Sequence, residues 1–178
     1  WYTPNLPYLF YLSAIAAGLT MVSFETIIGS RTLKRESELD IAKGLGRGAR
    51  ITLALYLAAK VADMTVHGNW PLLFAWNKAS FFWLAEMMIM VIIPIILYSI
   101  KSVRESENGL LTAASLVIGG VVFNRFNVNF FTQAGTGTFY FPAITEILVT
   151  LGLVSAIVLL YRLAVMHLPV FHEGALNR

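Results

Sequence analysis

Long apolar runs alternate with short polar stretches along the chain, and the runs share one characteristic length. They cover about 5–30, 48–67, 79–100, 109–131 and 141–166. Each is close to the roughly 20 residues that carry a helix across a ~30 Å hydrocarbon layer. In lipid a lone strand would leave its N–H and C=O groups unpaired, so each run is predicted to be helical. The pattern predicts an all-α, polytopic transmembrane helical bundle with five spans, read as a single domain over 1–178. Pro94 falls inside the third span, where a kink is tolerated because neighbouring helices can satisfy the carbonyl it frees. Gly18, Gly119, Gly120 and Gly152 offer small surfaces for close helix contact.

Composition sharpens the pattern. Of 178 residues, 57% are hydrophobic and 13% charged, where soluble domains carry about 25% charged residues. Mean hydropathy is +0.70. The net charge of +3 raises the question of a nucleic-acid partner. The distribution of the basic residues answers it in favour of the lipid bilayer. Residues 31–50 hold six Lys or Arg, 101–108 hold two and the end from Arg162 onward two, against Lys78 alone in the alternate loops. The positive-inside rule then puts 31–50, 101–108 and the C-terminus in the cytoplasm and Trp1 outside, across a bacterial or archaeal cytoplasmic (inner) membrane. The aromatic residues Trp70, Trp76, Phe81, Phe82, Trp83, Phe139, Tyr140 and Phe141 suit an outer interface belt. Gln133–Thr138 reads as a tight outer turn, and the glycines from Gly44 to Gly48 as a loop signal in a basic turn. The chain opens on Trp1 with no signal peptide and is expected to be half of a longer protein.

With orientation assigned, helical rise gives depth. At ~1.5 Å per residue, Asp63, Glu86, Arg125 and Glu146 all fall roughly 6–11 Å below the outer ends of their spans. Asn124, Asn127 and His67 border this layer, and Lys60 sits one turn deeper. Lys60, Asp63 and His67 follow i, i+3, i+7 spacing and line one helix face. An unpaired charge near the bilayer centre costs about 2.5–3.5 kcal/mol, so the carboxylates are expected to gather around Arg125, with Lys60 as a second cation. The plainer alternative is structural: a salt bridge that fixes packing, and a lysine that snorkels.

The chemistry open to such a layer is narrow. With no cysteine there is no thiolate-held iron–sulfur cluster in the chain. His67, His167 and His172 do not place a pair at one depth on separate spans, so no haem and no metal ligation are expected. Carboxylates, amides and an imidazole near one face can bind a quinone, whose carbonyls accept hydrogen bonds, and exchange protons with it. They can equally line the path of a secondary transporter or of an ion- or proton-conducting subunit. A structural anchor for a peripheral enzyme is a third reading, and it leaves the buried ionisable groups unexplained.

Three stretches resemble a known family: "WYTPNLPYLFYLSAIAAGLTMVSFE" (Trp1 to Glu25), "FNRFNVN" (Phe123 to Asn129) and "YFPAITEILVTLGLVSAIVLLYRLAVMHLPVF" (Tyr140 to Phe171). Together they look like the C-terminal half of the polysulfide-reductase membrane-subunit (NrfD-like) family, and most of all like its members in periplasmic-facing [NiFe] hydrogenases of the hydrogenase-2 type. The resemblance implies about ten helices in the whole protein, of which these five would be the last. It implies a respiratory redox complex in which electrons pass between menaquinone or ubiquinone and a periplasmic, ferredoxin-like iron–sulfur subunit serving a catalytic subunit. Proton translocation and the absence of haem belong to the same expectation. Arg125, Asn127 and Glu146 map to polar family positions. The family's quinone-contacting residues lie largely in the first helical bundle, so no quinone site is carried over residue by residue.

Overall fold

The computed structural model describes residues 4–32, 39–74, 77–135 and 143–167. Among them all regular structure is helical: α1 (Leu6–Thr32), α2 (Leu39–Val66), α3 (Trp70–Leu73), α4 (Lys78–Met87), a π-helical turn (Met88–Ile92), α5 (Ile93–Ser99), α6 (Lys101–Arg104), α7 (Glu107–Gly135) and α8 (Ile144–His167). Four of the expected spans recur as helices long and apolar enough to cross a membrane: Leu6–Thr32, Lys78–Ser99, Glu107–Phe131 and Ile144–Ala164. The protein is a multi-pass, all-α membrane protein. The fifth expected span, α2, has the length at 28 residues, but Lys43, Arg47, Arg50, Lys60 and Asp63 hold its hydropathy down.

The chain divides into two compact units, Trp1–Thr138 and Phe139–Arg178. In the first, α1 lies along α2 over most of its length, and α7 packs against both α1 and the Lys78–Ser99 rod. Helices in lipid gain little from hydrophobic contrast, so they associate by close packing of small residues. The buried positions follow that rule. Ala16, Thr20 and Ser23 of α1, Ala42, Gly46 and Ala49 of α2, and Ala113 and Ala114 of α7 are buried, while Met21, Val22, Ile51, Leu55 and Val122 point outward. Gly120 lets α7 approach the third span closely: a Cβ there would stand 2.5 Å from Met90 Cα.

Several hydroxyl groups inside the spans satisfy themselves locally, as a solvent without hydrogen bonds demands. Thr20 Oγ1 donates to the Ala16 carbonyl at 2.8 Å, Thr52 to Gly48 at 3.0 Å and Ser115 to Leu111 at 2.8 Å. At one end of the bundle Arg31 Nη2 meets Glu107 Oε2 at 3.2 Å and Asn108 Oδ1 at 2.7 Å, tying the last turn of α1 to the first of α7. This pair is part-exposed and contributes about 0–1 kcal/mol.

One expectation needs correction. The glycines from Gly44 to Gly48 do not form a loop, because α2 begins at Leu39 and runs through them. Gly46 is needed there for packing: its Cβ would lie 3.0 Å from Tyr98 Cε1. At Pro94 the third span stays helical. The helix widens just before it, and Ile93 N–H donates to the Met88 carbonyl five residues back. Proline lacks the N–H of a regular i−4 bond and crowds that carbonyl, and a π turn relieves both. The turn expected at Gln133–Thr138 begins as α7 backbone to Gly135, and its remainder lies outside the described residues, as do Trp76, Phe139, Tyr140, Phe141 and His172.

The second unit contributes α8, described by itself. Its residues from Ile144 to Leu163 are exposed, and apart from Glu146 and Arg162 none is charged, the character of a helix surrounded by lipid or by other helices. Its expected span is 141–166, and the observed helix ends one residue later.

Candidate functional site

The end of the bundle opposite Arg31 and Glu107 gathers the start of α1, the end of α2, the start of α4 and the upper part of α7. Here Asp63 is buried near the last turn of α2, its carboxylate approached by two side chains. Asn5 Nδ2 donates to Asp63 Oδ1 at 2.9 Å. His67 Nδ1 lies 2.9 Å from the Asp63 main-chain oxygen and 3.5 Å from Oδ1. Both partners are acceptors, which assigns the proton to Nδ1. The His67 side chain is 37% exposed, so the imidazole links a buried carboxylate to the surface.

Glu86 is fully buried. Asn124 Nδ2 donates to its Oε1 at 2.7 Å, and Asn127 Nδ2 to its Oε2 at 3.0 Å. Spacing of i, i+3 puts both amides on one face of α7, so the pair clamps the carboxyl group with one donor on each oxygen. Asn127 Oδ1 is buried without a hydrogen-bond partner among the described residues.

Lys60 is 6% exposed. It lies where the charges of both Glu86 and Asp63 act on it, yet among the described residues it makes no ion pair or hydrogen bond. It lines a cavity of about 260 Å³ together with Asp63, Met64, Asn69, Leu72, Asn77, Ser80 and Trp83. The turn at the rim is fixed locally. Asn77 caps α4 by accepting the Ser80 N–H at 2.8 Å, and the Ser80 hydroxyl donates back to the Leu72 carbonyl.

Arg125 is the chief correction to the sequence reading. It does not stand among the carboxylates, and it makes no ion pair among the described residues. Its guanidinium lies over the Phe10 ring, with Cζ 3.6 Å from the centroid. Nη2 donates to Ser13 Oγ at 3.0 Å and to the Phe10 carbonyl at 3.4 Å. A planar cation is weakly hydrated and can take an aromatic face as its counter-charge, and α1 presents that face one helix away from Glu86. Glu146 stands in the first turn of α8, in the other unit, where Thr150 donates to its main-chain carbonyl at 2.9 Å.

Of the expected site residues, Lys60, Asp63 and His67 share the α2 face, and Glu86, Asn124 and Asn127 form the clamp beside it. Sequence reasoning missed Asn5, Phe10, Ser13, Asn69, Asn77 and Ser80. Asn77 followed three residues later by Ser80 was legible as a helix start. The others carried no local signal.

The model of the family described as polysulphide reductase, NrfD, matches residues 1–135. The chain belongs to this NrfD family. A protein of Nitratidesulfovibrio vulgaris is 35% identical over 97% of the NrfD-family chain and 47% of its own length. The probable Ni/Fe-hydrogenase 2 b-type cytochrome subunit of Escherichia coli is 23% identical over 93% of the chain and 43% of its own length. The NrfD-family chain thus spans less than half the length of these curated relatives. No solved structure matches it. The matched range holds every site residue named above except Glu146.

Proposed function

We propose that this chain is the quinone-exchanging part of a membrane redox complex, passing electrons between a menaquinone or ubiquinone pool and an iron–sulfur partner on the outer side of a bacterial cytoplasmic membrane. A catalytic subunit would lie beyond that partner. The observation that carries this reading is the polar layer of Lys60, Asp63 and Glu86 with its amide and imidazole partners, buried at one end of an NrfD-family bundle. Membership of the family and the likeness to a protein named as a hydrogenase cytochrome subunit support a redox complex.

The residues suit proton-coupled electron exchange. A quinol gives up two electrons and two protons, and a quinone takes up the same. Asp63 can accept or return a proton and reaches the exposed His67, while Glu86 is sealed by the two asparagines and offers a second acidic group inside. In this reading the chain supplies binding, orientation and proton exchange, and the redox-active atoms belong to the quinone and the partner. No haem is assigned to the chain, since the sequence places no two histidines at one depth on separate spans.

A secondary transporter using the same carboxylates calls for a span unwound near its middle. The third span instead stays helical through the π turn, which favours the redox reading. The test is purification of the native complex with its partners, extraction of bound lipid, and electron transfer to a short-chain quinone. Expected are an iron–sulfur subunit in the preparation and turnover with the quinone. A pure, assembled complex that never exchanges electrons with any quinone overturns the reading.

A further inference from the structure

We infer that the cavity between α2 and the α3–α4 turn seats the headgroup of the quinone, and that Lys60 is the hydrogen-bond donor to one of its carbonyls. The inference rests on the proposed function and assigns it a place and a residue.

Three observations converge on this ligand class. First, Lys60 is 6% exposed and lines the cavity, and its ammonium has no acceptor in hydrogen-bond contact among the described residues. A charged donor that opens on a mostly apolar cavity without an acceptor is unfavourable, so the cavity suits an occupant that brings one. Second, the occupant is not an anion. Asp63 shares the same wall, and the charges of both Asp63 and Glu86 already act on Lys60. A phosphate or carboxylate would meet two acidic neighbours for one cation. A neutral acceptor, a ring carbonyl, meets the ammonium without that repulsion. Third, the remaining walls are Met64, Leu72 and the indole of Trp83, which suit a flat apolar ring. The volume, about 260 Å³, accommodates a headgroup and leaves the isoprenoid tail to lipid.

Asp63 has a consequent role. Held by Asn5 and by His67, it stands on the cavity wall beside Lys60 and can exchange the proton that a bound quinol releases or a bound quinone needs. The route continues to His67, whose exposed ring ends it.

The experiment uses the whole native complex in detergent or vesicles. Turnover with a short-chain quinone is normalised to turnover with a soluble dye reacting at the catalytic partner. Removing a hydrogen bond from a charged donor weakens binding by about 10–100-fold, so Lys60→Met should raise KM for the quinone by that factor. Lys60→Arg should recover part of the loss. Ala79→Leu fills the cavity without touching a charge and should also raise KM, which keeps the inference testable if Lys60→Met fails to assemble. A photoreactive azidoquinone should label peptides containing residues 60–83, and excess quinone should suppress the labelling. Vesicles enriched in anionic lipid should not suppress it. Unchanged KM in Lys60→Met and Ala79→Leu, labelling elsewhere, or displacement by anionic lipid overturns this assignment while leaving quinone exchange by the complex intact. Absence of quinone turnover in the unaltered complex would instead strike the proposed function itself.

Discussion

At the scale of single residues, the layer separates into groups that face charge and one that faces an aromatic ring. Asp63 and Glu86 were legible in the sequence because a carboxylate inside an apolar run has few innocuous explanations. The counter-ion expected for them was not. Arg125 is one helix position from Asn124, yet it points at Phe10 and Ser13, more than a hundred residues earlier in the chain. A ring face used as counter-charge leaves no mark on sequence spacing, since Phe10 is indistinguishable there from any lipid-facing aromatic. The geometry predicts a coupled pair. In a double-mutant cycle, Arg125→Lys and Phe10→Leu should show an interaction of about 0.5–2 kcal/mol in unfolding free energy. Additive losses would show that the stacking contributes nothing. Asn124→Ala and Asn127→Ala, which each remove a donor to a fully buried carboxyl, should each destabilise by roughly 1.5–3 kcal/mol in the same assay.

At the scale of elements, four spans were read from the sequence to within about three residues, because hydrocarbon leaves a helix as the only isolated solution and fixes its length. The start of α2 was misread. Three glycines among basic residues suggest a turn, and only the Tyr98 ring pressed against Gly46 shows why a small residue belongs inside a helix there. Gly119 and Gly120 make the same point side by side. A Cβ on Gly120 would collide with Met90 backbone, while one on Gly119 meets nothing within 4 Å. Gly120→Ala should therefore lower stability by about 1–3 kcal/mol as α7 is forced off the π turn. Gly119→Ala should be neutral or slightly stabilising, since alanine is the better helix former. Thermal unfolding of the two variants in one detergent decides the matter, and equal midpoints would remove Gly120 from the packing argument.

At the scale of the whole molecule, the fold class follows from composition and the orientation from charge bias. The absence of cysteine makes the orientation directly measurable. Single cysteines replacing Lys78 and Lys101, both exposed, should react with a membrane-impermeant maleimide from opposite sides: Lys78→Cys in intact cells stripped of their outer membrane, Lys101→Cys only in inverted vesicles. The reverse pattern would place the polar layer on the cytoplasmic side and exclude an outer iron–sulfur partner at that end. The site was only half legible at this scale because a cavity is a property of assembled helices. Asn69 and Asn77 reach it from a connection, and Ser80 from the first turn of α4, where polar residues have ordinary reasons to stand.

The π turn at Met88–Ile92 has a consequence for how this gene can tolerate change. Twelve positions separate Glu86 from Tyr98, and in a regular helix that puts them about 120° apart around the axis; discounting one residue brings them within about 20°. Both are buried, so the bulge acts as a phase correction that returns the two ends of the rod to one face. A codon deleted elsewhere in a span would rotate everything beyond it by about 100°. Deletion of the part-exposed Ile89 combined with Pro94→Ala should instead regularise the helix and leave Glu86 facing its asparagines. The bulge is thus the one place in this span where reading length can shrink by a residue while both ends keep their neighbours, and assembly of that double variant in the membrane is the measure of it.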